Sequence, residues 1–317
     1  MKRTLARISI FIVSIYFVCQ TVSAARLLIP GGQVVGMHLQ DGSVTVTGLT
    51  EAGKQTGLAA GDRLLSVDGQ AVRSPQDVLE ALSRSDGRVK ISLLRAGKTK
   101  TITVTPTVTS HGPRLGVQLR QGTTGLGTVT YYDPDTGSFG ALGHSVNDPA
   151  GAPVTLESGA IYPARVSGIN RGKPGAPGQL LGALTDSAPL GDLAKNTAQG
   201  VFGKISLSPA QPLPAATSEE IHTGRATIRS TVTGDGPQEY SVEILKIYPA
   251  TQNKTRNMLI RITDPALLEA TGGIVQGMSG SPIIQDGKLI GAVTHVLIND
   301  PTTGYGIFIE NMLDAAA

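Results

Sequence analysis

The stretch Gly272-Gly273-Ile274-Val275-Gln276-Gly277-Met278-Ser279-Gly280-Ser281-Pro282-Ile283-Ile284 gives the first indication of both architecture and chemistry. An apolar, β-branched run enters it and a second, Leu289 to Val296, follows it, so the residues between them predict a tight turn joining two strands. Ser279 has a glycine two positions before it and another directly after it. Glycines permit a strained backbone and leave neighbouring amides uncovered. Such a turn suits a nucleophilic serine, with the amides of Gly277 and Ser279 as an oxyanion hole.

The same residues also fit a plain hairpin turn, because Gly-Ser-Pro turns are common and a motif alone is a hypothesis. The pattern Gly-x-Ser-Gly-x-Pro, which runs here from Gly277 to Pro282, is similar to the surroundings of the nucleophile in chymotrypsin-like serine peptidases. A peptidase interpretation therefore requires a general base elsewhere in the chain.

Composition indicates a turn-rich β protein. A chain of 317 residues predicts about two domains, and 40% hydrophobic with 16% charged residues is typical of folded domains. Glycine occurs 40 times and proline 19 times, among many Val, Ile and Thr runs. The net charge of +3 lies partly at the extreme N-terminus, so no nucleic-acid partner is predicted. A single cysteine, Cys19, excludes an intrachain disulfide and a cysteine zinc site, and we expect no metal and no cofactor.

The N-terminus has the pattern of a targeting segment. Lys2, Arg3 and Arg7 precede an apolar run from Ile8 to Cys19, and the small residues Val22-Ser23-Ala24 follow. The run has 12 residues, fewer than the roughly 17–25 of a membrane-spanning helix. We interpret residues 1–29 as a signal peptide, with a retained membrane anchor as the alternative.

Residues 30–107 resemble a PDZ domain. The bacterial PDZ pattern Ala-Gly-Leu-x-x-Gly-Asp-x-Ile-x-x-Val-Asn-Gly corresponds here to Thr56-Gly-Leu-Ala-Ala-Gly-Asp-Arg-Leu-Leu-Ser-Val-Asp-Gly69. PDZ domains add an extended peptide to a sheet edge. We expect the peptide carboxylate at the loop Val35, Gly36, Met37 and His38, with a partner peptide or a segment of this chain as ligand. A module that only packs against its neighbour is the alternative.

Two histidines compete for the role of general base. His144 lies in Phe139-Gly-Ala-Leu-Gly-His144, after a β run and beside small residues that leave it accessible to a substrate. His295 lies in the strand that follows the serine turn. His144 could also be a non-catalytic loop histidine that bonds backbone carbonyls. The residues alone therefore do not decide which histidine, if either, is the general base.

The acid that would orient the base is also open. Asp264 follows the run Leu259 to Thr263 and precedes Pro265. It can complete a triad by orienting the histidine, or it can simply cap a short helix that begins at Pro265. Asp186 and Asp192 are the alternatives.

With these residues in hand, the chain resembles the stage IV sporulation protein B peptidases of endospore-forming Firmicutes. The likeness is densest in Gly140-Ala-Leu-Gly-His144, in Ile262-Thr-Asp-Pro265 and from Thr271 to Gly306. The resemblance implies a catalytic histidine at His144, a serine nucleophile at Ser279 and an acid at Asp264. For the fold it implies a mainly β chain: a small PDZ domain followed by a peptidase domain at residues 108–317, with two chymotrypsin-like barrels and the site between them.

The resemblance also implies a biological role. Such peptidases are exported from the forespore into the space between the forespore and mother-cell membranes. There they cut themselves and a membrane-anchored regulator, which activates an intramembrane protease and late sigma-factor processing. The alternative from another class is a secreted PDZ scaffold with an inert peptidase-like domain that binds a membrane protein.

Overall fold

The computed structural model describes residues 25–148, 151–185, 187–205, 211–233 and 236–317. The strands in chain order are β1 (Leu27–Pro30), β2 (Val34–Leu49), β3 (Arg63–Val67), β4 (Gln70–Ala71), β5 (Val89–Arg95), β6 (Lys98–Val104), β7 (Thr107–Thr109), β8 (Gly112–Arg114), β9 (Val117–Asp133), β10 (Ser138–Ala141), β11 (Ser158–Asn170), β12 (Gln179–Leu184), β13 (Gly191–Thr197), β14 (Gly200–Ile205), β15 (Leu213–Pro214), β16 (Gly224–Ser230), β17 (Gln238–Ile247), β18 (Met258–Ile262), β19 (Pro282–Gln285), β20 (Lys288–Leu297) and β21 (Asp300–Phe308). The helices are α1 (Glu51–Lys54), α2 (Pro75–Ser83), α3 (Pro265–Thr271) and α4 (Ile309–Ala316), with a short 3-10 turn at Ser218–Glu220. The prediction of a mainly β chain is confirmed.

The first barrel is a closed ring of antiparallel strands in the order β2-β9-β10-β14-β13-β11, because β2 pairs with both β9 and β11. Its interior is filled by alternate side chains of these strands, which is the period-2 pattern of a half-buried strand. Met37, Leu39, Phe139 and Ile161 are fully or almost fully buried there. The loop after β10 brings His144 to one end of this barrel.

The second barrel is the closed ring β16-β17-β18-β21-β20-β19. Its strands are rich in β-branched residues, and Ile228, Ile260, Ile283 and Val293 lie in its core. Ser279 lies in the turn just before β19. The predicted double barrel is therefore confirmed, with the two predicted site residues at the ends of elements from different barrels.

The PDZ unit is inserted into the first barrel. β2 leaves the barrel after Leu39, continues into the PDZ sheet by pairing with β3 at Val44, and ends at Leu49. β9 begins at Val117, opposite Leu49, and returns along β2 into the barrel. The PDZ core, with Val46, Leu64, Leu82 and Ile91, is a separate cluster.

This topology corrects the predicted division at residues 30–107. The strand segment from Val34 to Leu39 belongs to the peptidase barrel, and the PDZ sheet includes the first part of β9. A linear division fails because both connecting strands run through both units.

Helix α4 closes the chain against the barrels. Ile309 and Met312 pack with Leu28, Tyr131 and Phe202 in a small cluster of their own. Within the described ranges, no helix has the length and apolarity needed to cross a membrane. The predicted targeting segment lies almost entirely in residues 1–24, outside the described residues.

Candidate active site

Ser279 stands in a turn whose backbone is held by neighbouring strands. The carbonyl of Ser279 accepts a hydrogen bond from the amide of Thr128 at 3.0 Å, and the Thr128 hydroxyl donates to the carbonyl of Gly277 at 2.7 Å. Gly280 has φ +97°, and a Cβ there would lie 2.0 Å from the Thr128 carbonyl oxygen. The turn therefore requires glycine at this position, as its close approach to β9 leaves no room for a side chain.

The amides of this turn divide into bonded and free. Those of Met278 and Gly280 donate to the carbonyls of Val275 and Val293. The amides of Gly277 and Ser279 donate to no acceptor among the described residues. Free amides at a nucleophile and two residues before it are the donors that an oxyanion hole needs, because they meet negative charge as it develops.

His144 is brought to this turn by two left-handed residues, Leu142 with φ 68° and Gly143 with φ 69°. A Cβ on Gly143 would lie 2.7 Å from Thr294 Cγ2, and one on Gly280 would lie 2.5 Å from the Leu142 amide nitrogen. The backbones before His144 and after Ser279 are therefore in direct contact across the barrel interface.

The hydrogen bonds of His144 define its tautomer. Nδ1 lies 2.8 Å from the carbonyl oxygen of Ser145, which can only accept, so Nδ1 carries the proton and Nε2 keeps its lone pair. Burial lowers the pKa of His144 from its ordinary value, and the bond to Ser145 offsets part of that effect. The ring is consequently neutral at pH 7, as a general base must be.

The hydroxyl of Ser279 does not bond His144 in this arrangement. Its Oγ donates to the carbonyl of Thr294 at 2.8 Å. Thr294 directly precedes His295 on β20, so this bond ties Ser279 to the strand that carries the second candidate base. Rotation about the Cα–Cβ bond of Ser279 is the movement that redirects the hydroxyl.

His295 is the immediate neighbour of His144. The two ring centroids lie 5.3 Å apart with an interplanar angle of 46°. The Nδ1 atom of His295 is buried without a hydrogen-bond partner among the described residues. Burial, followed by the charges of His144 and Arg256, lowers the pKa of His295 to about 4. Both imidazoles are thus neutral near pH 7, and both are carried by segments that contact the serine turn, at Leu142 and at Thr294.

Asp264 does not reach this pair. Its carboxylate accepts from the Leu267 amide at 3.0 Å and from the Ser241 amide at 3.3 Å, and it is the N-cap of α3. Arg256, which lies before strand β18, adjoins His295. Asp264 lies after the other end of β18, so the chain between Arg256 and Asp264 spans on the order of 20 Å at about 3.3 Å per residue. The geometry gives the capping interpretation and no contact that supports a triad role.

Neither alternative acid is seen to contact the histidines. Asp192 is exposed near the start of β13, opposite Lys204, whereas Ala198 at the other end of that strand lines the pocket at His144. Asp186 lies outside the described residues. No carboxylate contributes to the pKa shift of His144 or of His295.

A pocket of about 290 Å³ opens beside the two histidines. It is lined by His144, Ser145, Asn147, Ala198, Asn253, Thr255, Arg256 and His295. Sequence reasoning missed the segment from Asn253 to Arg256, because it is a polar loop that reaches the site through long-range strand pairing. No group of three or more His, Cys, Asp and Glu side chains that could hold a metal ion occurs among the described residues.

The predicted peptide-binding loop of the PDZ domain is not where it was expected. The segment Val35, Gly36, Met37 and His38 pairs with β9 on one edge and β11 on the other, inside the first barrel. With both edges occupied it cannot accept a peptide strand. The prediction was wrong because the segment lies on the barrel side of the PDZ insertion.

The structure offers a different groove. A cavity of about 360 Å³ lies between α2 and the start of β9, lined by Val78, Leu79, Leu82, Leu115, Gly116 and Leu119, among others. Residues 117–121 of β9 pair with β2 and have no partner on their other edge among the described residues. The signal in the sequence was the run Leu115-Gly-Val-Gln-Leu119, an apolar strand start with a glycine.

Comparisons with known proteins identify the class. A PDZ domain model matches residues 52–95, and the model for SpoIVB peptidase S55 matches residues 111–313. Together with the double barrel, these matches define a PDZ-containing serine peptidase. The chain belongs to the SpoIVB peptidase S55 family.

Individual relatives are more distant. A Bartonella henselae protein named as a zinc metalloprotease is 33% identical over 82 residues, which is 26% of this chain and 22% of that protein. The match thus spans about a fifth of that relative's length.

Solved structures show weak overall similarity. The active form of the Rv3671c protease from M. tuberculosis is 15% identical, with a TM-score of 0.36, covering 75% of this chain and 81% of that chain. The HtrA-type protease AlgW with a decapeptide is 14% identical, with a TM-score of 0.38, covering 62% and 52%. The PDZ domain of the SdrC-like protein from Listeria monocytogenes is 25% identical, with a TM-score of 0.22, covering 24% and 85%.

Proposed function

We propose that this protein is a serine endopeptidase in which Ser279 is the nucleophile and His144 the general base. The observation that carries the proposal is the pair of free amides, at Gly277 and Ser279, on a turn in direct backbone contact with the segment of His144. A structural turn would satisfy these amides internally, since buried or half-buried backbone donors are normally paired.

The chemistry follows from these positions. The hydroxyl proton of Ser279 passes to Nε2 of His144 as Oγ forms a bond to the substrate carbonyl carbon. The carbonyl electron pair moves to oxygen, where the amides of Gly277 and Ser279 hold it. Collapse expels the amine, which takes the proton from His144, and leaves an acyl-enzyme. Water, activated by His144, then releases the acid and restores the serine.

The orienting group differs from a carboxylate triad. The Ser145 carbonyl fixes the tautomer of His144, and it is a dipole rather than a charge. It therefore orients the ring but stabilises the imidazolium less than a carboxylate would.

A serine-directed fluorophosphonate tests the assignment. We expect stoichiometric labelling of the wild type at Ser279 and no labelling of Ser279→Ala, with both proteins folded by circular dichroism. His144→Ala should also lose labelling, whereas His222→Ala, an exposed histidine paired with Asp286, serves as the matched control. Well-folded wild type that resists labelling would support the inert scaffold instead.

We extend the proposal to a cellular role on the basis of family membership. The peptidase is exported across the forespore membrane into the intermembrane space and is held there as a soluble or membrane-anchored form. It cuts its own N-terminal part and a membrane-anchored regulator, and thereby activates an intramembrane protease and late sigma-factor processing. The groove between α2 and β9 binds an extended segment of this chain or of that partner.

Self-processing provides the test of this role. Full-length wild type and Ser279→Ala are expressed in membranes, and their N-termini are read by intact mass. We expect the wild type to lose a piece beyond the signal and the variant to keep it. Identical processing of both would assign the trimming to another protease.

A further inference from the structure

The pocket beside His144 has a distinctive charge pattern. Its lining contains one permanent cation, Arg256, two imidazoles and the polar side chains of Asn147, Asn253 and Thr255. Among the described residues that line it there is no aspartate or glutamate. A pocket that contains a permanent cation and has no carboxylate among its described lining residues is complementary to an anion.

Arg256 is free to serve such an anion. None of the ion pairs between described residues involves it, and its guanidinium makes no hydrogen bond within the described chain. The guanidinium carbon lies 5.3 Å from the centroid of the Tyr305 ring, which gives the cation a platform without using its N–H groups. An arginine held by an aromatic face can present its planar fork to a carboxylate.

The loop that carries Arg256 is held by a network of hydrogen bonds. The carboxamide oxygen of Asn253 accepts from the amides of Thr255 and Arg256 and from the Thr255 hydroxyl. Asn257, which is fully buried, donates to the carbonyls of Asn253 and Tyr248 and accepts from the amide of Phe308. These bonds fix the backbone of Arg256, so the cation is positioned before a substrate arrives.

The pocket borders the proposed general base, because His144 is one of its lining residues, whereas Ser279 is not. Arg256 acts electrostatically on His295, which follows Thr294, and the Thr294 carbonyl bonds the Ser279 hydroxyl. A side chain in this pocket would therefore belong to a residue near the cleaved bond rather than to a remote part of the substrate.

We propose that this pocket is a specificity subsite for an acidic side chain of the peptide substrate, with Arg256 as its anchoring cation. The inference rests on the proposed peptidase function and adds to it the chemical class of substrate. A substrate Asp or Glu would receive N–H donors from Arg256, with Asn147, Asn253 and Thr255 around it. A basic side chain would meet an unpaired cation and be disfavoured.

The test uses denatured casein as the substrate, with every cleaved bond identified by mass spectrometry. We expect the wild type to show Asp and Glu enriched at one position near the cleaved bond. A matched pair of peptides with Asp or Asn at that position should differ in kcat/KM by about fivefold, the scale of a partly exposed ion pair.

Variants assign the effect to the pocket. Arg256→Gln should abolish the preference, and Arg256→Glu should reverse it in favour of Lys or Arg. Lys254→Gln is the matched control, because Lys254 lies on the same loop but lines a different cavity. All three variants should be folded by circular dichroism, and Lys254→Gln, outside this pocket, should label at Ser279 with a fluorophosphonate at the wild-type rate.

The two proposals fail in different ways. If the wild type cuts casein without acidic enrichment, or if Arg256→Gln keeps the enrichment, the subsite is overturned and the peptidase stands. If folded wild type neither cuts nor labels, the peptidase function fails and the subsite fails with it.

Discussion

The imidazole of His144 bonds a backbone carbonyl, and this contact determines how it would act in its proposed role as a base. The Ser145 carbonyl holds the Nδ1 proton, so Nε2 is available to Ser279 without any side-chain acid. The neighbouring imidazole of His295 is neutral as well and contributes no charge near pH 7. In the proposed mechanism such a site lacks the charge stabilisation of a carboxylate, so the free amides at Gly277 and Ser279 would carry a larger share of the rate enhancement.

Substitution of Asp264 separates a cap from a catalytic acid. Asp264→Asn should keep kcat/KM close to the wild-type value, since the carboxamide oxygen can still accept from the Leu267 amide. Asp264→Ala should lower the free energy of unfolding by about 1 kcal/mol through loss of the cap. Steady-state kinetics and denaturant unfolding measure the two effects.

A triad acid would behave otherwise. Replacement by the amide would then lower kcat by about 10⁴-fold with little change in stability. Ser74→Ala, which removes the capping box of α2 in the PDZ unit, is the matched control for a purely structural loss.

The pH profile of kcat/KM also distinguishes a histidine held by a backbone carbonyl from one held by a carboxylate. The proposed base acts when neutral, and burial lowers the pKa of His144 from its ordinary value, so the acid-side decline of kcat/KM should have its midpoint below that of an ordinary histidine. His295, with a pKa of about 4, should not contribute to that decline above pH 5. Wild-type kcat/KM measured from pH 5 to pH 9 locates the midpoint.

His295→Gln provides the control, because it removes the second imidazole and should leave the midpoint in place. A midpoint above pH 7 would mean that a negative charge stabilises the imidazolium, contrary to the carbonyl arrangement.

At the scale of elements, strand β9 runs from the PDZ groove to the turn that contains Ser279. Its first residues line the groove at Val117 and Leu119, and farther along Thr128 bonds the carbonyls of Gly277 and Ser279. A second hydroxyl, that of Thr130, donates to the Gly280 carbonyl. The strand thus sets the orientation of the peptide units that flank the nucleophile.

Thr128→Val should weaken catalysis without unfolding the protein. The shape is kept, but the Gly277 carbonyl loses its hydroxyl donor and the peptide units of the turn become free to reorient. We expect kcat to fall by about ten- to a hundredfold, with kcat/KM and fluorophosphonate labelling rates as readouts. Thr124→Val on the same strand is the control, because the Thr124 hydroxyl bonds His38 instead. Equal activity of the two variants would contradict the role of Thr128.

The sequence was informative where the structure depends on near neighbours. The glycines around Ser279, the run before His144 and the PDZ pattern from Thr56 to Gly69 are local signals. The turn at Ser279 was predicted correctly, but the strand expected before it was not, because helix α3 and an irregular segment precede the turn. The cap at Asp264 was also one of the two local interpretations. The predictions that failed concern features set by the pairing of strands that are far apart in the sequence.

The position of the PDZ groove shows why. Leu49 pairs with Val117 across the whole PDZ unit, and Met37 pairs with both Gly125 and Ile161. No periodicity within either segment states which barrel or sheet it joins, since a buried strand has the same pattern in both. The approach of Arg256 to His295 likewise arises from the pairing of β18, β21 and β20.

At the scale of the whole molecule, the PDZ unit is an insertion, and we expect that it can be deleted without unfolding the peptidase barrels. Leu39 and Thr123 are paired neighbours on β2 and β9, and everything between them belongs to the PDZ sheet or to its junction with the barrel. The barrel core and the PDZ core are separate clusters, so cutting there exposes little of the barrel interior. Antiparallel neighbours can be joined by a two-residue Asn-Gly turn.

Replacement of residues 40–122 by Asn-Gly should therefore leave a folded peptidase. We expect a single cooperative thermal transition and fluorophosphonate labelling of Ser279, because Thr128 and the free amides of Gly277 and Ser279 are retained. The same deletion with Ser279→Ala is the control for labelling. A deletion variant that folds but does not label, while the full chain labels, would show that the PDZ unit is needed to assemble the site through β9. A variant that fails to fold would contradict the independence of the two cores.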